Sequence, residues 1–421
     1  MSAKEPWAPP GRKRKSMAQS TGTQIGLLDK DIMYFLFSYL DIFDVVRASA
    51  VCKAWNEIIK DSKLLEALYA KQRRILKSRE YEHDHHLNRL LEELAMEHHC
   101  RSLTAGSVIV DQLKVHSLGV SECRMKMGIV VTGVGDKVIR LWSLNSYNCL
   151  EEYPVSSTRS LVDFDFDESK IVGLLGTQLC VWRRKGQKSI FPQQEGTFSR
   201  GLCMSYVDPE AVIGCEDGTV RIFDMYSRKC SRIFRIHAEP TTCLSFSDDQ
   251  RLVSGSALGR ISVCCLQSDH QVASLNPRIS SGIKTLCFNP HQHKVFAGTT
   301  SGSVSCWDLR MMKLLWATRA SSNVIYRVQH RQNDTLTLVA GGVDGVLRVL
   351  DQSTGAILAR YVMSSGQSSH GLSMGRRLSE EDKVDQISTI SRPPITCFAI
   401  GMNKVVTAHN GKYIRIWKFR H

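Results

Sequence analysis

Seven short segments recur along the second part of this 421-residue chain, and their spacing limits what it can fold into. They are Ile139-Arg140-Leu141-Trp142, Leu179-Cys180-Val181-Trp182, Val220-Arg221-Ile222-Phe223, Ile261-Ser262-Val263-Cys264, Val304-Ser305-Cys306-Trp307, Leu347-Arg348-Val349-Leu350 and Ile414-Arg415-Ile416-Trp417. The final residues lie 40, 41, 41, 43, 43 and 67 positions apart. A second β-prone run precedes each segment: Ile129–Thr132, Ile171–Leu174, Ala211–Gly214, Leu252–Gly255, Val295–Gly298, Leu338–Gly341 and Val405–Ala408. Alternation of this kind marks strands with one buried face. Glu216-Asp217-Gly218 and Val343-Asp344-Gly345 are tight-turn sequences suited to joining such strands. A unit this small cannot bury its own apolar face, so neighbouring units must stack. Stacking in a ring leaves only short, protected edges.

The period and the turns resemble those of WD-repeat propellers. The family's turn aspartate is matched at Asp136, Asp217 and Asp344, its Trp-Asp ending at Trp307-Asp308, and its opening histidine at His237. The resemblance implies an all-β, seven-bladed WD-repeat propeller over residues 101–421. The chain stops just after the third strand of the seventh unit, so that unit lacks a fourth strand. The β-prone run Ser107–His116 is expected to supply it and close the ring. The long sixth spacing holds an insertion, 363–393, rich in Ser, Gly and charge. It is expected to be a disordered loop. Within it Arg376-Arg377-Leu378-Ser379 followed by Glu380-Glu381-Asp382 resembles a basophilic kinase site, which makes Ser379 a candidate phosphosite; an incidental serine in a tolerated insertion is the other reading. Arg140, Arg221, Arg348 and Arg415 repeat at one strand position and are expected to be structural.

Residues 1–22, rich in Pro, Ser, Gly and basic residues, are expected to be a disordered basic tail. Arg12-Lys13-Arg14-Lys15 fits either a nuclear import signal or a solvated charged stretch. No apolar segment of a secretory signal is present there. From Ile25 the period becomes helical, with Ile25, Leu28, Ile32, Phe35, Leu36 and Leu40. Two further short helices carry Val45, Val46 and Ala48, then Val51, Cys52, Trp55, Ile58 and Ile59. Three short helices bury little surface and need a partner. Leu28-Asp29, Phe37-Ser38-Tyr39-Leu40, Arg47-Ala48-Ser49, Val51-Cys52-Lys53-Ala54-Trp55-Asn56 and Leu64-Leu65 together resemble an F-box. Asp29 stands where that family has proline, and Leu65 where it has tryptophan. The resemblance implies a small all-α F-box domain at 23–65, docking a Skp-type adaptor through Leu28, Ile32, Leu36, Leu40, Val51, Cys52 and Trp55. Residues 66–100, with Leu68, Tyr69, Leu87, Leu90, Leu91 and Leu94 among charges, read as an amphipathic helical linker. His83, His85, His86, His98 and His99 are expected on its solvated surface rather than around a metal.

The net charge of +14 is uneven. Residues 1–100 hold 16 of the 55 Lys+Arg and 14 of the 41 Asp+Glu, which leaves +12 on residues 101–421. The 14 cysteines include no C-x-x-C pair and are expected to be reduced core residues in the cytosol or nucleus. No apolar run is long enough to span a membrane as a helix. No P-loop and no G-x-S-x-G elbow occurs, and Asp163, Asp165, Asp167 and Glu168 alternate with Phe164 and Phe166 at strand period rather than forming a calcium loop. No cofactor, no metal site and no enzymatic activity are expected.

Binding remains. The resemblance implies the substrate-recognition subunit of a Skp–cullin–F-box ubiquitin ligase, in the nucleus or cytoplasm, bound through its adaptor to cullin and RING proteins. The propeller would capture the target. Loops entering the inner strands carry Arg159, Arg200, Arg278, Arg319 and Arg392, and the remaining one carries His237. Guanidinium groups around a mouth suit an acidic or phosphorylated motif; solvated arginines of a basic protein are the other reading. The competing class is a basic nuclear WD-repeat scaffold that binds nucleic acid or chromatin proteins, although no aromatic-plus-basic nucleic-acid motif is present.

Overall fold

A computed structural model describes residues 28–74, 85–133, 137–155, 160–184, 188–190, 198–268, 270–275, 281–367 and 373–420. The chain divides into two compact units, one ending at Ala95 and the other running from Met96 to His421. The basic tail with Arg12–Lys15 lies outside the described residues.

The first unit is helical. Helices α1 (Lys30–Ser38), α2 (Ile42–Ser49), α3 (Lys53–Asp61) and α4 (Leu64–Arg74) follow one another closely, and α5 (His85–Ala105) crosses into the second unit. Asp29 and Asp41 cap α1 and α2, each accepting from a first-turn backbone N–H. Met33, Phe37, Val45, Ala48, Ile59 and Leu64 form the core, with Trp55 packed against its edge. The linker expected at 66–100 is thus two helices, with residues 75–84 outside the described ones.

In the second unit the repeats become four-stranded sheets. Blade one is β2 to β5 (Glu122–Lys126, Ile129–Gly133, Val138–Ser143, Cys149–Pro154), after β1 (Ser107–Lys114). Blade two is β6 to β9 (Asp163–Phe166, Lys170–Leu175, Gln178–Arg183, Lys188–Ile190), and blade three is β10 to β13 (Gly201–Val207, Glu210–Cys215, Thr219–Asp224, Lys229–Arg235). Blade four is β14 to β17 (Thr241–Phe246, Arg251–Ser256, Ile261–Cys265, His270–Leu275), and blade five is β18 to β21 (Ile283–Asn289, Lys294–Thr299, Ser303–Asp308, Lys313–Arg319). Blade six holds β22 to β25 (Ile325–Gln329, Thr337–Gly342, Leu347–Asp351, Ile357–Gln367) and is extended by β26 (Ser373–Arg377). Blade seven is β27 to β29 (Cys397–Gly401, Lys404–Ala408, Tyr413–Arg420). The inner strands touch in order around the ring, and β27 returns to β2. All seven repeat segments are third strands, and each run before them is a second strand.

Strand β1 supplies the missing fourth strand of blade seven. It pairs antiparallel with β29 from Ser107↔Arg420 to Lys114↔Tyr413. Val108 and Val110 sink into the core beside Leu103, Tyr361, Trp417 and Phe419. The buried Tyr361 hydroxyl donates to the Leu103 carbonyl at 2.7 Å, which fixes the end of α5 against blade six.

The insertion corrects the sequence-based expectation. Residues 363–393, expected as a disordered loop, instead extend β25 to Gln367 and build β26. Strand β26 pairs with β25 at Tyr361↔Arg377 and with β1 at Ile109↔Met374, so blades six and seven share one nine-stranded sheet. The strand has no apolar period because it buries no face: Met374, Arg376 and Arg377 are exposed. Its Gly375 permits close approach: a Cβ there would lie 2.7 Å from Val108 Cγ1. Beyond it Leu378 is buried with Val346 and Val362, and Val384 and Ile387 pack against them. Residues 368–372 lie outside the described ones.

The histidines need a second correction. His99, expected on a solvated face, is fully buried; its Nδ1 accepts the Asn403 backbone N–H at 3.0 Å, and its Nε2 lies 4.0 Å from Asp334. Burial lowers its basicity, with Asp334 opposing. Asn403 also bonds His98 Nδ1 at 2.8 Å. The last turns of α5 therefore belong to the ring. The side chains of His83, His85 and His86 lie outside the description. No helix among the described residues is long and apolar enough to cross a membrane.

Candidate protein-binding surfaces

Helix α1 is apolar on two faces. Met33 and Phe37 point into the unit's own core. Leu28 before the helix, then Ile32, Phe35 and Leu36, and Leu40 after it, remain exposed. Val51 and Cys52, in the turn before α3, are exposed too. Six of the seven residues expected to meet an adaptor are therefore open, and Trp55 is the exception. It is half-buried, edge-on to Phe37 with ring centroids 5.3 Å apart, so its first task is to hold α3 to α1. The adaptor-facing set implied by the resemblance omits Phe35, which the helical period includes, and Tyr39; their rings meet edge-on at 4.9 Å, and Tyr39 is 74% exposed. Their spacing of four residues on a helix was the available signal. A patch of large apolar side chains on so small a unit calls for a covering partner.

The ring of arginines expected at the propeller mouth is only partly present. Arg200 and Arg319 are exposed, Arg319 as the last residue of β21. Arg159 and Arg278 lie outside the described residues. Arg392 is half-buried, and its guanidinium donates to the carbonyls of Ile387 (2.9 Å) and Asp344 (3.2 Å). His237 must be removed from the set. It is buried, its Nε2 lies 2.9 Å from Ser254 Oγ, and desolvation pushes its pKa down to about 4. A neutral imidazole bonded inside the blade presents no charge to a ligand.

The inner strands hold basic groups that sequence reasoning missed: Arg124 and Lys126 on β2, Lys284 on β18 and Arg327 on β22. Two are neutralised by the acidic strand β6. Asp163 accepts from Arg124 at 2.8 Å and from the Met204 N–H at 2.9 Å, and Asp165 from Lys126 at 2.8 Å and the Tyr206 N–H at 3.1 Å. Burial pushes Asp165 up, but Lys126 and Arg124 outweigh it and hold the carboxyl below the usual carboxylate range. These aspartates tie blades one, two and three together; among the described residues no group of three or more acids, histidines and cysteines is arranged to hold a metal ion. Lys284 is exposed, with its ammonium 5.6 Å from the Tyr326 ring centre. Alternation along inner strands would have found these residues had the first strands been located.

The repeated third-strand arginines are structural where their partners are visible. Arg348 is buried and grips Asp344 with two nitrogens, at 3.1 and 2.5 Å, and Asp344 also accepts from Ser321 at 2.6 Å. Arg140 pairs with Glu152 at 2.8 Å and meets His116 at 2.6 Å.

Comparison with known proteins matches both units. The F-box-like family model covers residues 30–70, and the WD domain, G-beta repeat model covers 228–264 and 269–308. An F-box/WD-40 repeat-containing protein of Arabidopsis thaliana is 47% identical across 96% of this chain and 97% of its own length. A COMPASS component of Saccharomyces cerevisiae is 25% identical over 33% of this chain and 44% of itself. Among solved structures the computationally designed Ika8 protein superposes with a TM-score of 0.55 at 20% identity, covering 73% of this chain and 98% of that one, a likeness of fold alone. A helical F-box joined to a WD-repeat ring is a make-up typical of adaptor proteins, and the chain belongs to the F-box/WD-40 repeat proteins.

Proposed function

We propose that this chain is the substrate-recognition subunit of a Skp–cullin–F-box ubiquitin ligase. The observation that carries the reading is the exposed face of Leu28, Ile32, Phe35, Leu36, Leu40 and Val51 on a unit whose core is already filled by other side chains. Such a face gains by being covered, and the Skp-type adaptor is the partner that an F-box implies. The propeller would then hold the target protein. Arg200, Arg319 and Lys284 are exposed cations on a part of the chain carrying +12, and they suit an acidic or phosphorylated motif. The chain's contribution to ubiquitin transfer is proximity and orientation rather than chemistry.

Affinity purification of the full chain tests this reading. Recovery of a Skp-type adaptor with cullin and RING subunits is the expected result. A folded chain that retrieves none of them overturns it. Binding to nucleic acid that falls steeply with salt, without adaptor, would instead favour a basic WD-repeat scaffold.

A further inference from the structure

The turn after β26 combines an acceptor sequence with a charge arrangement that a phosphate would upset. Arg376, Arg377, Ser379 and Glu380 are exposed, while Leu378 between them is buried. Ser379 donates its hydroxyl (2.9 Å) and its backbone N–H (2.7 Å) to one carboxylate oxygen of Asp382. Arg376 holds the other oxygen of that carboxylate, and Arg360 donates to the Ser379 carbonyl. A groove of about 340 Å³, lined by Leu358, Arg360, Arg377, Leu378, Ser379 and Glu380, adjoins the serine.

We propose that Ser379 is the acceptor of an arginine-directed protein kinase, and that its phosphate displaces Asp382 from Arg376 and opens the turn 379–382. The two guanidiniums upstream of the serine suit a kinase whose peptide groove is acidic. In the transfer the serine Oγ attacks the γ-phosphorus of ATP, and the bond to the bridging oxygen breaks. ADP leaves with that electron pair, and the hydroxyl proton passes to the kinase's carboxylate base. The product lacks the hydroxyl donor, leaving Asp382 only the Ser379 backbone N–H, and adds a charge of about −2 beside Glu380, Glu381 and Asp382. Arg360, Arg376 and Arg377 lie around that charge, and the groove has room for it. Bidentate guanidinium–phosphate pairing then replaces the Arg376–Asp382 pair. Leu378 must leave its pocket while the kinase reads the segment, so modification follows a local opening and holds it open. The opened turn leads through Val384–Gln386 to Arg392, whose guanidinium is fastened to Ile387 and Asp344. Phosphorylation thereby reaches the link between blades six and seven.

The test uses the full chain, ATP and the catalytic subunit of a cyclic-AMP-dependent kinase as the probe. Mass spectrometry should place one phosphate on Ser379, and Arg376→Ala with Arg377→Ala should slow its appearance by about tenfold or more. Amide hydrogen exchange at 379–383 should quicken by about tenfold in the modified chain while β27 to β29 stay protected. Asp382→Asn, which weakens the same turn without modification, should quicken exchange there and phosphorylation together. Two results overturn the proposal. One is no phosphate on Ser379 in the folded chain under conditions that modify a 373–384 peptide. The other is a stoichiometric phosphate with unchanged exchange at 379–383.

Discussion

Replacing Ile32, Phe35 and Leu36 together by alanine should weaken adaptor binding by about two orders of magnitude and leave the helical unit folded. The three side chains are 49%, 58% and 48% exposed, and none belongs to the unit's core. Fully burying a side chain of this size is worth roughly 1.5–3 kcal/mol, and about half of each remains to be covered. Each therefore stands to contribute about 1 kcal/mol, and the three about 3 kcal/mol, which at ~1.4 kcal/mol per decade is about a hundredfold in Kd. Trp55→Ala would be the poorer probe. It removes the edge-on contact with Phe37 and confounds lost binding with lost fold. The assay is titration calorimetry of the full chain with a purified Skp-type adaptor, with helix content followed by circular dichroism. Affinity unchanged within about threefold, with helicity intact, would refute the assignment of this face.

Four further outcomes follow from the ring. Tyr361→Phe leaves the buried Leu103 carbonyl without its donor and should cost about 1–2 kcal/mol, read by urea unfolding; no change would mean the bond is not holding α5. Gly375→Ala forces a Cβ against Val108 and should cost about 1–3 kcal/mol in the same assay, which an unshifted midpoint would contradict. Burial holds His237 down at about 4 from its ordinary 6.5, so the unfolded chain takes up its proton first as pH falls. Its contribution is complete above about pH 6.5 and drains away towards pH 4, up to about 3 kcal/mol. His237→Asn should lack that slope, and identical pH dependence in the two proteins would exclude His237 as its source. Arg200→Glu with Arg319→Glu should weaken capture of an acidic or phosphorylated peptide by about tenfold, an effect that fades with salt; equal binding removes these two from the surface.

The repeat was legible because third strands such as Leu179-Cys180-Val181-Trp182, Val304-Ser305-Cys306-Trp307 and Ile414-Arg415-Ile416-Trp417 are largely buried, so each leaves a short apolar run at a fixed spacing. The glycine ending many second strands was visible but not its reason: at Gly255 a Cβ would lie 2.8 Å from Cys243 Sγ of its own blade and 2.8 Å from Ile283 Cγ2 of the neighbouring one. Outer strands such as Lys313–Arg319 alternate between exposed and mostly half-buried residues, with only Trp316 buried, so they leave a weaker apolar signal. Strand β26 carries little side-chain signal because Met374, Arg376 and Arg377 are exposed and no face of it is buried. The F-box face was legible through Ile32, Leu36 and Val51-Cys52, yet the same period could not say which apolar residues face inward. Met33 and Phe37 fill the core, and the more evident residues stay outside. Of the cations expected at the propeller mouth, Arg200 and Arg319 are exposed, whereas Arg392 and His237 are held by hydrogen bonds to residues distant in sequence, which position in the chain could not show.

The pairing of β1 with β29 also orders events in time. Ser107 and Arg420 stand 313 residues apart, and the side chain of one bonds the backbone of the other. A ribosome delivers the helical unit first and the last strand of blade seven last. Blades one to six can assemble while synthesis continues, but the seam cannot close until β29 has emerged. The surface that calls for a partner thus exists before the ring is sealed, and until β29 pairs, one edge of β1 stays open while β26 takes part of the other. Removal of β29 would leave that edge open for the protein's lifetime.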